Sequence, residues 1–249
     1  MNIYIKTKDE IKIMAEAGKK LHEVREALFK AVEKGVNAME IEELAMELIY
    51  KLGAEPAFTK VEDYKWATCV NLNDSVVHGI PKKDMVFAEG DIVSVDVGLV
   101  YNGFNSDTSF TKLIGNDPKK AKMLEVGRQS LNNAIKQARP GNYVRDISRA
   151  MSKVLNKHGY RAIESLTGHG IGKKLHEDPL VPCYVSGSFY ESVKLVEGMV
   201  LAIEVMYTEG KPGIKLDKDG WTLRTKDGKM SALFEETVAI TKNGPVILT

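Results

Sequence analysis

The stretch "DIVSVDVGLVYNGFNSDTSF", residues 91–110, reads as two β-strands joined by a turn at Tyr101 to Gly103, with one aspartate in each strand. Side chains alternate along a strand, so Val93, Val95, Val97 and Leu99 share one face, while Ile92, Ser94, Asp96 and Gly98 share the other. The valine face is the one that helices would cover. Taken alone, Asp96 is then a solvated residue on the far face, and Asp107 has no evident purpose.

Two further strands change that reading. "VLAIEVMY", Val200 to Tyr207, sets Leu201, Ile203, Val205 and Tyr207 against Ala202, Glu204 and Met206, again with one acid among small or apolar neighbours. "ALFEETVAI" holds Glu235 and Glu236 on opposite faces, so only one of them can join the same surface. Carboxylates on a covered face are costly to leave unpaired, and three strands that each carry one are poorly explained by solvation.

The histidines divide in a similar way. His22 and His158 lie in helical stretches and read as surface residues. His78 in "VVHGIP", His169 in "TGHGIG" and His176 in "KLHEDP" sit beside glycine or proline at loops or strand ends, where backbone can approach a ligand closely. Carboxylates relieve their mutual repulsion by binding a divalent cation, and an oxygen-rich set with one imidazole suits Mn²⁺, Fe²⁺, Co²⁺ or Zn²⁺. Four acids and one histidine exceed what a single catalytic zinc requires. Two ions bridged by carboxylates and a water fit better, and that water can be a hydroxide near neutral pH. The chain has no H-E-x-x-H, no P-loop and no G-x-G-x-x-G after a strand.

Helical signals flank these strands. Thr7 and Glu10 make a capping box, and Ile11, Met14, Gly18, Leu21, Val24, Leu28 and Val32 follow at helical steps up to Gly35. A second helix starts near Asn37 to Glu40, buries Ile41, Leu44, Ala45, Leu48, Ile49 and Leu52, and closes at Gly53. Pro118 opens a third with Leu124, Leu131, Ala134, Ile135 and Ala138 inward, stopped by Pro140 and Gly141. A fourth carries Ile147, Met151, Val154 and Leu155. With an offset of 106, "KGVNAMEIEELAMELIYKLG" aligns with "PGNYVRDISRAMSKVLNKHG", matching Gly35 to Gly141 and Gly53 to Gly159. The expectation is one compact α/β domain over 1–249, built of two related halves, about 1–115 and 116–249, that share a sheet and form a cleft between them.

Bulk properties exclude other classes. The 35 basic and 34 acidic residues leave a net charge of +1, no footprint for nucleic acid or an anionic membrane. No signal-peptide pattern and no run of eighteen apolar residues occurs, so a cytoplasmic location is expected. Cys69 and Cys183 are too few for a disulfide framework, and both thiols are expected reduced.

"NLNDSVVHGIP", "GDIVSVDVGLVYNGFNSDTS", "TGHGIGKKLHEDP", "GMVLAIEVM" and "SALFEET", in that order and spacing, make the chain resemble the type I methionine aminopeptidases along essentially its whole length. The resemblance implies the pita-bread fold, a pseudo-two-fold-symmetric antiparallel sheet covered by helices. It implies two divalent ions (Co, Mn, Fe(II), Zn or Ni) held by Asp96, Asp107, His169, Glu204 and Glu235, with Asp107 and Glu235 bridging. A metal-bridged hydroxide would then attack the carbonyl after the N-terminal methionine, with Glu204 as proton acceptor. His78 would contact the scissile amide and assist the leaving amine, and His176 would stabilise the oxyanion. The family's methionine pocket maps onto Tyr64, Cys69, Leu175, Met206 and Trp221, whose sulfur, aromatic and aliphatic atoms suit a thioether. The implied partners are nascent polypeptides and the ribosome that presents them, and a monomer of the short bacterial form is expected.

This chain departs from the family pattern at three places. Glu204-Val205-Met206 stands where many relatives read Glu-Pro-Met, Glu236 where they carry histidine, and Val61 where an aromatic is common. The departures bear on strand rigidity, on charge near the metals and on pocket shape. Two alternatives share the fold. A prolidase or X-Pro aminopeptidase has the same ligands but usually an extra N-terminal domain, whereas about 95 residues precede Asp96 here. A non-enzymatic binding relative would have lost ligands that this chain keeps.

Overall fold

The computed structural model describes residues 2–185 and 192–249. Its elements run α1 (Lys8–Ala31), α2 (Ala38–Lys51), β1 (Glu55–Pro56), β2 (Thr68–Leu72), β3 (Ser75–Val77), β4 (Ile92–Tyr101), β5 (Phe104–Leu113), α3 (Pro118–Ile135) and α4 (Val144–Lys157). They continue as β6 (Arg161–Ala162), β7 (Thr167–Gly170), β8 (Glu177–Pro182), β9 (Val200–Thr208), β10 (Ile214–Leu216), β11 (Leu223–Thr225), β12 (Ser231–Thr241) and β13 (Gly244–Ile247). This is the antiparallel, helix-covered sheet of the pita-bread fold. None of the described helices is long and apolar enough to cross a membrane.

The caps are those the sequence announces. Thr7 and Glu10 close a reciprocal box at α1, and Asn37 and Glu40 do the same at α2. α1 ends at Ala31, short of Gly35, because the Gly35 N–H leaves the helix to bond Phe87 O. The β4–β5 turn tightens to Asn102 and Gly103, both at positive φ, and pairs Tyr101 with Phe104. Asn-Gly suits this two-residue turn, because its left-handed backbone matches the twist of the strands.

Ten strands form one sheet in the order β1-β4-β5-β12-β9-β7-β8, with β2 on β4, β6 on β9 and β13 on β12. β10, β11 and β3 form a separate three-stranded sheet. α1 and α2 bury Leu21, Val24, Leu28, Ile41, Ala45 and Ile49 against Val93, Val95, Val97 and Leu99. α3 and α4 bury Leu124, Ile147 and Met151 with Leu201, Ile203, Val205 and Tyr207. Both helix pairs therefore cover the face opposite Asp96 and Glu204.

Backbone hydrogen bonds within residues 35–100 have counterparts within residues 141–208. Gly35 N bonds Phe87 O as Gly141 N bonds Leu195 O, and Ala38 N bonds Met85 O as Val144 N bonds Val193 O. The β1–β4 pairs Glu55–Val100 and Pro56–Leu99 have counterparts in the β6–β9 pairs Arg161–Thr208 and Ala162–Tyr207. The β5–β12 seam is stitched by threonine hydroxyls. Thr237 Oγ1 accepts from Asp107 N at 3.0 Å and donates to Asp107 O at 2.8 Å. Thr108 Oγ1 donates to Glu235 O at 2.9 Å, and Thr111 Oγ1 to Leu233 O at 2.6 Å.

α3 lies on the sheet at Gly127, where a Cβ would collide with Tyr207 Oη and with Phe234 Cε2. Tyr207 is fully buried and donates from Oη to Met123 O at 2.7 Å, so it cannot swing away without losing that bond. Gly127→Ala is expected to destabilise the fold by about 1–3 kcal/mol through overpacking. Urea unfolding should show a lower midpoint with unchanged slope; an unchanged midpoint would show that the helix has room to move.

Candidate metal centre and substrate cavity

The ladder registers decide which acids meet. Glu204 on β9 lies directly opposite Glu235 on β12, and His169 on β7 pairs with Ala202, one step diagonal from Glu204. On the hairpin, Asp107 faces Gly98 while Asp96 faces Ser109, so the two aspartates are diagonal neighbours on one face. Like charges directly across a ladder destabilise a sheet. Here four carboxylates and an imidazole converge from five strands on the uncovered face.

Asp107, His169 and Glu235 are buried, and each offers a ligand atom within 4.8 Å of the other two. Asp96 and Glu204 line the same cavity, are half-buried and fall outside that group of three. Asp96 Oδ1 and Asp107 Oδ1 are buried without a hydrogen-bond partner among the described residues. His169 Nδ1 lies 2.9 Å from Gly170 O, which can only accept, so the proton sits on Nδ1 and Nε2 presents a lone pair. Gly168 and Gly170 let β7 in close, since a Cβ at Gly170 would collide with Asp178 O, and one at Gly168 would lie 2.5 Å from Ala202 O.

Electrostatics mark the same set. Burial pushes Asp96 up to about 7. Burial first and repulsion among the carboxylates second raise Asp107, Glu204 and Glu235 above the usual carboxylate range. Burial holds His169 down to about 4 and lowers His78 and His176, so all three are neutral near pH 7. Orphaned buried oxygens, mutually repelling carboxylates and a free imidazole lone pair fit a divalent cation, whose charge replaces the protons that these groups would otherwise retain.

The twelve residues singled out from sequence all line one cavity of about 910 Å³. His78 directly follows β3 in the left-handed region at φ +58, a conformation costly for a residue with a Cβ. Gly79 beside it leaves no room for a side chain against Val70 O. His176 lies on the other wall, its ring 4.5 Å from that of His169. Trp221 packs edge-on against Tyr64 at 5.0 Å and against His78 at 6.4 Å. Tyr64 Oη is occupied by Thr68 O at 2.9 Å and Cys69 Sγ at 3.2 Å, so the pocket presents apolar surface. Both cysteines are free and buried. Glu236 lies on the face opposite the cluster, as the alternation of β12 predicts, bonded to Arg25 Nη1 at 2.7 Å and to Thr249 Oγ1 at 2.6 Å.

Two residues that build the cavity, one in its wall and one behind it, carry no sequence signal of their own. Phe58 forms part of the pocket wall beside Val61, and it fits because Gly98 has no Cβ; one there would sit 2.8 Å from Phe58 Cε1. Glu42 is a buried acid on α2 that accepts from Ala67 N, Thr68 N and Thr68 Oγ1 at 2.6–2.9 Å, fixing the start of β2 just before Cys69. Both are visible only once the strands are assembled.

These pKa directions set a pH dependence. The four carboxylates hold protons more tightly folded than unfolded, so their contribution to stability is present below about pH 4 and is lost as pH rises through the folded values, about 7 for Asp96. The three lowered histidines oppose this below about pH 6.5, and the four raised carboxylates outweigh them. Protein kept in a chelator is expected to melt at a lower temperature at pH 7.5 than at pH 5. Excess Mn²⁺ should abolish the difference. A chelated melting temperature that is flat or rising across that window would refute the coupling.

Comparison with known proteins agrees with this geometry. The sequence profile of metallopeptidase family M24 matches residues 12–242. The methionine aminopeptidase of Aquifex aeolicus is 41% identical over 256 residues, covering 100% of this chain and 99% of that protein. Methionine aminopeptidase 1 of Bacillus subtilis is 39% identical, with 99% of each covered. The crystal structure of methionine aminopeptidase from Thermotoga maritima superposes with a TM-score of 0.96 at 42% identity, over 100% of this chain and 99% of that one. The prolidase of Pyrococcus furiosus shares the fold at a TM-score of 0.79 and 26% identity, over 98% of this chain and 65% of that one. With a buried Asp/His/Glu cluster set on the sheet of these metallopeptidases, the chain belongs to metallopeptidase family M24.

Proposed function

We propose that the protein removes the N-terminal methionine from nascent polypeptides, as a single catalytic domain of two related halves working in the cytoplasm. The observation that carries this reading is the placement of the carboxylate–histidine cluster at the base of the same cavity whose wall is the apolar Tyr64, Cys69, Leu175, Met206 and Trp221 pocket. Identity near 40% to methionine aminopeptidases, against 26% to the prolidase, supports methionine as the residue removed.

Asp96, Asp107, His169, Glu204 and Glu235 would hold two divalent ions. When bound, such ions supply Lewis acidity that polarises an amide carbonyl and brings the pKa of water toward neutrality. The chain's own residues do the rest. Glu204, freed of its own proton by the charge of those ions and facing the same cavity, would accept a proton from the attacking water. Neutral His78 and His176 present N–H donors from two walls, one for the scissile amide and leaving amine, the other for the developing oxyanion. The unbranched thioether side chain fills the pocket against sulfur and ring edges, and these contacts set the scissile bond in register with the donors.

Two measurements test this. Protein loaded with Co²⁺ or Mn²⁺ is expected to release methionine from Met-Ala-Ser, to be silenced by chelation and to leave Ala-Pro intact; cleavage of Ala-Pro alone would sink the assignment. Asp107→Asn should fold with an unchanged circular dichroism spectrum, yet lose both turnover and calorimetric uptake of Co²⁺. Unaltered turnover in that variant would remove Asp107 from the site.

A further inference from the structure

The bend between β7 and β8 carries Leu175 and His176, one in the proposed methionine pocket and the other proposed to stabilise the oxyanion. Residues 172–176 form consecutive bends outside the ladder, so the sheet does not by itself fix their position. One side of the bend is tied to β5, where Asn105 N donates to Gly172 O at 2.7 Å and Asn105 Nδ2 donates to Gly172 O and Lys173 O at 3.0 and 3.1 Å. The other side closes on the carboxylate of Glu177, the residue directly after His176. Glu177 Oε1 accepts from Lys174 N at 3.1 Å, and Oε2 meets Lys6 Nζ at 2.7 Å.

Lys6 comes from the N-terminal arm, far from the bend in sequence. Its side chain is 1% exposed and that of Glu177 is 9% exposed. The arm is itself anchored: Lys6 N donates to Gly198 O at 2.8 Å, Thr7 caps α1, and Asn2 N donates to Asp178 Oδ2 at 2.9 Å. The bend wraps the ion pair closely enough that a Cβ on Gly172 would sit 2.5 Å from Lys6 Cε and 2.8 Å from Glu177 Oε1.

We propose that Lys6 is a positioning residue for the reaction: its buried ion pair with Glu177 sets the bend that presents Leu175 and His176 to the substrate. A buried ion pair is a poor source of stability compared with apolar residues of the same volume, because desolvation offsets the attraction. What it does supply is direction, since each buried charge is held at contact distance from the other. An apolar pair would fill the space without fixing Glu177, and hence His176, to that arrangement. A misplacement near 1 Å at a transition-state donor costs about 10²-fold in rate.

The inference rests on the aminopeptidase reading, and the experiment separates the two. Turnover of Met-Ala-Ser is measured for Co²⁺-loaded wild type, Lys6→Met and Lys6→Met/Glu177→Met, together with melting temperatures and calorimetric Co²⁺ uptake. The single variant strands a buried carboxylate and is expected to melt earlier. The double variant should recover a wild-type melting temperature and Co²⁺ affinity, while its kcat stays on the order of 10- to 100-fold low with KM nearly unchanged. A double variant with wild-type kcat, or with kcat lost only in step with Co²⁺ affinity, overturns the role of Lys6 and leaves the function standing. Wild type that does not turn over Met-Ala-Ser overturns both.

Discussion

Four carboxylates on one face of one sheet cannot all be ionised without a countercharge, and the rest of the architecture is arranged around that constraint. Glu204 and Glu235 stand directly opposite each other, with Asp96 and Asp107 on the adjoining hairpin. An antiparallel ladder is stiff enough to hold like charges at such spacings, where a loop would let them separate. The threonine hydroxyls along the β5–β12 seam add to that stiffness where it is most needed, since Thr237 bonds both backbone groups of Asp107 and Thr108 bonds the carbonyl of Glu235. The stabilisation comes from the opposite face, where four helices bury the valine and leucine rows. A cation in the cluster then serves the fold and the chemistry at once.

The departures from the family pattern resolve in structural terms. Val205 is fully buried on the helix side and pairs with Phe234, so the proline of many relatives is replaced by a residue that contributes an ordinary core side chain. Glu236 stays on the helix side, where Arg25 on α1 and Thr249 take up its two oxygens, and it is the least of the charges that raise Glu235. This arrangement also ties β12, next to Glu235, to the first helix. Val61 lines the cavity beside Phe58, whose ring the missing Cβ of Gly98 admits.

Binary pattern and turn chemistry were legible directly. The alternation in 92–99 and 200–207 separated core face from site face, the capping boxes placed α1 and α2, and Asn-Gly placed the hairpin turn, all of which depend on neighbours within a few residues. The mid-strand acids were conspicuous for the same reason, as charges at positions whose neighbours are buried. Their grouping was suggested by chemistry and by resemblance to a family. Glu42, Phe58 and Lys6 gave no such signal: an acid on an amphipathic helix, a phenylalanine in a turn and a lysine near the N-terminus are unremarkable until their partners are known.

What the sequence by itself determined is therefore local: which residues form strands and helices, which face of each is apolar, and which strands carry an acid among buried neighbours. Only the tertiary structure decided who meets whom. Ladder register set Glu204 against Glu235 and His169 diagonal to Glu204, helix packing turned Glu236 toward Arg25, and the N-terminal arm brought Lys6 to Glu177 across 171 positions of chain. The physical reason is range. Periodicity and capping act over a turn or two of chain, whereas desolvation, repulsion and steric exclusion act through space between segments that the sequence lists far apart.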